Sequence, residues 1–161
     1  MTHVQTTLHK SPQNWFVLAG FLVLVIGAGS LIGIATAPAE WYAGLAKPPF
    51  NPPNWIFAPV WTFLYICIAI AGWRIWNRSP DSRAMKIWIG QLVLNWLWSP
   101  VFFTLHLLWP AAVVILTIAA LIVWFIVEAG KKDRIAAVLF VPYLAWVSFA
   151  SLLNISIAIL N

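Results

Sequence analysis

The chain has 161 residues, of which 63% are hydrophobic and only 8% charged, with a net charge of +5. Soluble domains carry about 25% charged residues, so this composition excludes a soluble protein and marks an integral membrane protein. The positive balance is explained by membrane topology and requires no nucleic-acid partner.

Residues 1–14 form a polar tail holding His3, His9 and Lys10. From Trp15 to Ala37 there is no charge, and this first predicted helix, residues 15–37, is long enough to cross a bilayer. Ala35-Thr36-Ala37 superficially resembles a signal-peptidase site. The apolar run before it, about 20 residues, is longer than the 7–15 of a signal peptide, so the segment reads as a retained first helix. Its Gly29-x-x-x-Gly33 face, followed by Ala37, permits close helix approach, and packing within the bundle is expected of it rather than homodimerisation.

The loop at residues 38–55 carries Pro-Pro pairs at 48–49 and 52–53, together with Trp41, Tyr42, Phe50 and Trp55. Pro-Pro pairs hold the backbone extended and remove donors, so the loop is stiff by composition. It reads either as a lid over a site or as a surface loop with interfacial Trp anchors. The second helix covers residues 56–76. Between Lys86 and Glu128 lie 41 residues without Asp, Glu, Lys or Arg, too many for one crossing. Trp109-Pro110 is the natural break, because Pro suits the first turn of a helix. Helices are therefore expected at 87–106 and 110–128, and a last one at 135–160. The reading is an all-α membrane protein, a single five-helix transmembrane domain over residues 15–161. No stretch alternates polar and apolar over about ten residues, as barrel strands do.

Lys10, Arg74, Arg78, Arg83, Lys86, Lys131, Lys132 and Arg134 fall on one side of this topology, and only Lys47 on the other. The positive-inside rule then expects a cytoplasmic N-terminus, with the Pro-rich loop and the C-terminus outside.

Standard catalytic constellations are missing. His106 is alone near the outer end of the third helix, and Glu40, Asp81, Glu128 and Asp133 all fall at span edges. No metal or haem site and no obligatory cofactor are expected, and a proton-coupled pump would lack its ionisable group. Cys67, alone in mid-membrane, reads as a small buried hydrophobe.

The span interiors do hold aromatic rings and amides. Gln91, Asn95, Trp98 and Phe102 form one stripe of the third helix, and Trp61 and Tyr65 are one turn apart on the second. Tyr143, Trp146, Ala150 and Asn154 share a face of the fifth. The amides suit either helix–helix hydrogen bonding or a ligand site. An interfacial belt suits Trp15, Trp41, Trp55, Trp73, Trp76, Trp88 and Trp109, but not Trp98 and Trp146, which lie several turns inside. Pro59, Pro100 and Pro142 fall within spans and would free backbone carbonyls one turn earlier. Together these features point to an aromatic pocket opening outward beneath the loop, suited to a flat, mostly apolar ligand.

The strings Trp41-Tyr42-Ala43-Gly44-Leu45-Ala46-Lys47-Pro48, Pro52-Pro53-Asn54-Trp55, Pro59-Val60-Trp61, Gly90-Gln91-Leu92-Val93-Leu94-Asn95-Trp96, Pro100-Val101-Phe102-Phe103 and Pro142-Tyr143-Leu144-Ala145-Trp146 strongly resemble the translocator protein (TspO) family. Its bacterial members are the tryptophan-rich sensory proteins, and its mitochondrial members the peripheral benzodiazepine receptors. The resemblance implies a five-helix bundle, often a homodimer, that binds porphyrins such as protoporphyrin IX. It also implies binding of isoquinoline carboxamide and benzodiazepine-type ligands, and roles in tetrapyrrole transport or regulation and light-dependent porphyrin breakdown. Trp61 and Trp146 align with the two tryptophans tied to that breakdown, which gives them a photochemical role by resemblance. Tyr42, Tyr65, Asn95, Trp98 and Ala150 align with ligand-pocket positions. Residues 152–161 lack the Tyr and the basic residue of the animal members' cholesterol motif, a departure that counts against sterol recognition there. The expected function is a porphyrin-binding sensory or regulatory protein of the bacterial cell membrane, the alternative a passive or partner-dependent transporter of porphyrins.

Overall fold

The computed structural model describes residues 15–37 and 40–161. The polar tail, with Lys10, His3 and His9, lies outside the described residues, as do loop positions 38 and 39. The described chain is helical throughout its long apolar stretches. Helix α1 spans Trp15–Ala35, and a short α2 covers Glu40–Gly44 in the loop. Helix α3 is Asn54–Arg78, opening as a tight three-residue turn. Helix α4 is Arg83–Ser99, continued by a widened turn over Pro100–Thr104, and α5 is Leu108–Gly130. The last long segment is broken at Phe140 into α6, Arg134–Leu139, and α7, Val141–Leu160. Four of these segments, α1, α3, α5 and the α6–α7 pair, are long and apolar enough to cross a membrane.

Helix α1 packs on α3, α3 on α6, α6 and α7 on α5, α5 on α4, and the outer end of α1 returns to α4. The inner half of this ring is filled. Phe125, Phe140 and Tyr143 are buried there, with Phe125 and Phe140 ring centroids 4.0 Å apart. Trp88 is buried as well and donates its indole N–H to Ile68 O at 2.9 Å. Gly72 makes room for it, since a Cβ at that position would overlap the Trp88 ring.

Local chemistry sets the helix ends. Ser82 Oγ accepts from Met85 N, so α4 starts one turn earlier than the end of the charge cluster had indicated. Pro142 falls in the first turn of α7, and Pro59 in the first α-helical turn of α3, just after its tight opening turn at 54–56, where a missing N–H costs little. Neither therefore strips a carbonyl in mid-helix. The chain meets the Pro142 ring by ending α6, with Phe140 N bonded to Ala137 O at 3.1 Å, and restarting as α7. At Pro100 the helix widens instead, and Leu105 N reaches Pro100 O at 2.9 Å. Trp73 and Trp88 also depart from the sequence reading, because both are buried in the bundle and not in an interfacial belt. Trp15, Trp55, Trp76 and Trp109 are exposed, while Trp41 is half-buried in the loop.

Asp133 ties the helix ends opposite the loop. Its buried carboxylate accepts from Arg74 Nε (2.9 Å), Arg74 Nη2 (3.1 Å) and Arg78 Nε (2.8 Å), and caps α6 through the Ile135 and Ala136 amides. Burial alone would raise its pKa. The hydrogen bonds from Arg74 and Ala136 and the two guanidinium charges outweigh burial and hold it below the usual value. A depressed carboxylate contributes stability above its unfolded pKa of about 3.9 and loses it as the pH falls through the lower folded value. Asp133→Asn is expected to lower unfolding free energy at neutral pH by about 2–4 kcal/mol, less than for a fully buried pair because Arg78 is half exposed. Denaturant titration in micelles checks this, and the gap between variant and parent should shrink below about pH 4.

Candidate functional site

The outer half of the ring is not filled. A cavity of about 670 Å³ lies there, within the range of small-molecule sites. Trp61 and Tyr65 of α3, Asn95 and Trp98 of α4, Phe102 of the widened turn, and Trp146, Ala150 and Asn154 of α7 line it, with Tyr42 from the loop. These positions come from four chain segments far apart in sequence. Three proline-marked starts or turns set their register, and the filled inner half forms the floor. No charged side chain among the described residues is on the wall. Among the described residues, no three His, Cys, Asp or Glu converge in a metal-binding group.

One proposed site residue is elsewhere. Gln91 is fully buried behind the wall, on the far side of Tyr143. It shares the helical stripe of Asn95, but the stripe runs down into the filled half, where Gln91 is a floor strut. Its amide completes a chain of hydrogen bonds across three helices. Tyr65 OH donates to Asn95 Oδ1 (3.3 Å), Asn95 Nδ2 to Tyr143 OH (2.9 Å), Tyr143 OH to Gln91 Oε1 (3.0 Å), and Gln91 Nε2 to Trp88 O (2.9 Å). Higher in the wall, Trp98 Nε1 donates to Asn154 Oδ1 at 3.1 Å, and Asn154 Nδ2 to Leu108 O at 3.0 Å. The amides thus hold helices together, and Asn95 and Asn154 do so at the cavity surface.

The aromatic rings are fixed by one another. Trp61 lies 5.3 Å from Tyr65 and 6.3 Å from Tyr143, centroid to centroid, and Trp146 lies 5.8 Å from Phe57. Trp98 stacks on Phe102 at 5.2 Å. The Nε1 atoms of Trp96 and Trp146, two rings of the cavity wall, are buried donors without a partner among the described residues.

The loop borders the outer end through Tyr42. Tyr42 is buried, packs its ring 5.4 Å from Phe103 and donates its hydroxyl to Asn51 Oδ1 at 3.1 Å. Lys47 sits 4.8 Å over the Tyr42 ring and donates to the Ala43 and Leu45 carbonyls. Asn161 pairs its side-chain amide with the backbone of Ala46 in both directions, each bond 3.0 Å. His106, in the left-handed backbone region at φ 56°, stacks on Trp41 at 3.9 Å. The loop is therefore fastened down at several points.

Sequence reading missed the wall formed by α1. Gly29, Ser30 and Gly33 line the cavity, and Gly29 lets the Tyr65 ring lie directly against the helix backbone. The Gly-x-x-x-Gly spacing was the available signal, but it reads equally well as ordinary helix packing. Gly29 does pack, whereas no atom comes within 4 Å of a Cβ built on Gly33.

Residues 21–160 match the profile of the TspO/MBR family. The chain is 40% identical to the tryptophan-rich protein TspO of Archaeoglobus fulgidus, over 86% of this chain and 92% of that one. It is 35% identical to the tryptophan-rich sensory protein of Cereibacter sphaeroides, over 92% and 94%. The human translocator protein is 32% identical, over 89% and 86%. With its apolar helices, its aromatic-walled cavity and these similarities along most of its length, the chain is a multi-pass membrane protein that belongs to the TspO/MBR family.

Proposed function

We propose that this protein binds a porphyrin, such as protoporphyrin IX, in the outer cavity, and acts as a membrane sensor or regulator of tetrapyrroles. The observation that carries the reading is the cavity wall itself, an uncharged surface presenting Trp61, Tyr65, Trp98 and Trp146 to one space. Such a wall suits a flat conjugated ring, and it requires that any carboxylates of the ligand stay outside the cavity. Family resemblance extends the reading to isoquinoline carboxamide and benzodiazepine-type ligands, to homodimer formation, and to light-dependent porphyrin loss through Trp61 and Trp146. Sensing is favoured over transport because Tyr143, Gln91 and Trp88 fill the bundle below the cavity, giving it no continuation toward the other face.

The topology belongs to the same proposal. Helix α4 with its widened turn covers residues 83–104 and would be the fifth crossing of a bacterial cell membrane. The cluster of Arg74, Arg78, Lys131 and Lys132 would face the cytoplasm and the Pro-rich loop the outside. Titration of the vesicle-embedded protein with protoporphyrin IX tests the function. Saturable quenching of Trp fluorescence is expected, and its absence would leave the proposal without support.

A further inference from the structure

Helices α1 and α3 do not stay together along their length. From Trp15 to Gly27, α1 packs along α3, and Trp15 stacks on Trp73 at 5.9 Å. A widened turn over Val23–Gly27 then redirects the helix. Beyond Gly29, where it touches Tyr65, α1 leans toward α4 instead, and Thr36 Oγ1 shares a hydrogen bond with Ser99 Oγ. The two helices therefore diverge over the outer half of the bundle, at the level of the cavity.

Most exposed residues of the cavity wall lie along this divergence, and the remaining two, Ala37 and Asn54, lie at the outer ends of the same two segments. On α1 the former include Ser30, Gly33 and Ile34, and on α3 Ala58 and Thr62, while the wall residues of α4, α5 and α7 are buried or half-buried. At 1.5 Å per residue the gap reaches about 9–12 Å below the outer helix ends, past the interface and among the lipid chains. Its outer rim is apolar, since Leu31, Ile34 and Phe63 are exposed there. Its inner edges are small, because Gly33, Ala58 and Thr62 leave the space between the helices open. Over the top, by contrast, the loop is held down by the hydrogen bonds of Tyr42, Lys47 and Asn161.

We infer that the gap between α1 and α3 is a lateral portal, through which an apolar ligand dissolved in the bilayer enters the cavity without lifting the loop. This rests on the reading of the cavity as a porphyrin site. It assigns Gly33, Ala58 and Thr62 to access, and the aromatic wall to affinity. The physical reason is solvation. A flat apolar ligand partitions into lipid, and a lateral route spares it a return to water and spares the loop its hydrogen bonds.

The test is stopped-flow quenching of Trp fluorescence by protoporphyrin IX, with the protein in phosphatidylcholine vesicles. Gly33→Leu has room for its side chain within the gap, and Thr62→Phe narrows the gap from the other helix should the first variant fold poorly. Both should slow association and dissociation alike, by about tenfold, so that the equilibrium affinity moves far less than either rate. Asn161→Ala, which unfastens the loop at Ala46, should leave both rates as they were. Unchanged rates in the gap variants, with faster entry in Asn161→Ala, would make the loop the door and overturn the portal. Weaker affinity through faster dissociation alone would make Gly33 a contact surface, and a change of oligomeric state in place of rate would make the gap an interface between copies. Either result overturns the portal while leaving the porphyrin site standing, whereas no quenching of the unmodified protein removes the site and the portal together.

Discussion

Replacing Trp61 or Trp146 by Phe should lower porphyrin affinity by roughly tenfold or less, and replacing both should sharply reduce any light-driven porphyrin loss. Both rings line the cavity, so a bound porphyrin would lie within reach of each. Phe keeps a flat apolar face at each position, and the neighbours that hold the rings, Tyr65 and Tyr143 for Trp61 and Phe57 for Trp146, remain in place. Binding should therefore survive in large part. Phe lacks the easily oxidised indole, however, and an excited porphyrin would lose its electron donor at contact distance. Illumination of the porphyrin-loaded double variant, followed by absorbance, gives the answer. Porphyrin loss at the parental rate in a folded double variant would mean that the two tryptophans only pack the bundle.

Tyr143→Phe should have the largest effect on stability of any single-atom change at the cavity floor. Its hydroxyl accepts from Asn95 and donates to Gln91, and both partners are buried. Losing the oxygen leaves an amide donor and an amide acceptor without partners, at about 1–3 kcal/mol each in a water-excluded core. Unfolded membrane chains also find partners, which reduces the net effect to about 1–3 kcal/mol in total. Ser151→Ala is the informative comparison, because Ser151 Oγ donates only to Val147 O of its own helix (2.7 Å) and leaves no side chain orphaned. Denaturant titration in micelles should place Ser151→Ala close to the parent and Tyr143→Phe well below it. Equal effects would mean that the chain across the three helices contributes no more than a local hydroxyl bond.

What the sequence made legible follows from which signals are local. Charge bursts separate the apolar segments because charged side chains cannot enter the membrane interior, so Arg83 and Asp133 fall at helix starts, while Lys86, the last of its burst, lies one turn into α4. The aromatic and amide stripes were legible because helical period places i, i+4 and i+7 on one face. Which end of a stripe meets a cavity depends on tertiary packing. Gln91 and Asn95 are one turn apart and chemically alike, yet Tyr143 covers the first and leaves the second on the wall. Trp73 and Trp88 lie near charged helix ends and resemble interfacial anchors, but packing covers both, with Gly72 admitting Trp88 and the Trp15 ring stacking on Trp73. The role of α1 was the least legible. Gly29 and Gly33 are identical in sequence terms, yet a Cβ on Gly29 would meet the Tyr65 ring and one on Gly33 would meet nothing within 4 Å.

If porphyrin binds in the aromatic-walled cavity, filling that space should abolish binding there. Ala150 lines the cavity from α7, and Ala150→Trp would place an indole in the volume assigned to the ligand. Protoporphyrin IX should quench the Trp fluorescence of the parent in a saturable manner, and should bind the Ala150→Trp variant at least about a hundredfold more weakly, a change of about 2.7 kcal/mol. Parental affinity in a folded Ala150→Trp variant would place the porphyrin elsewhere on the protein and contradict the account.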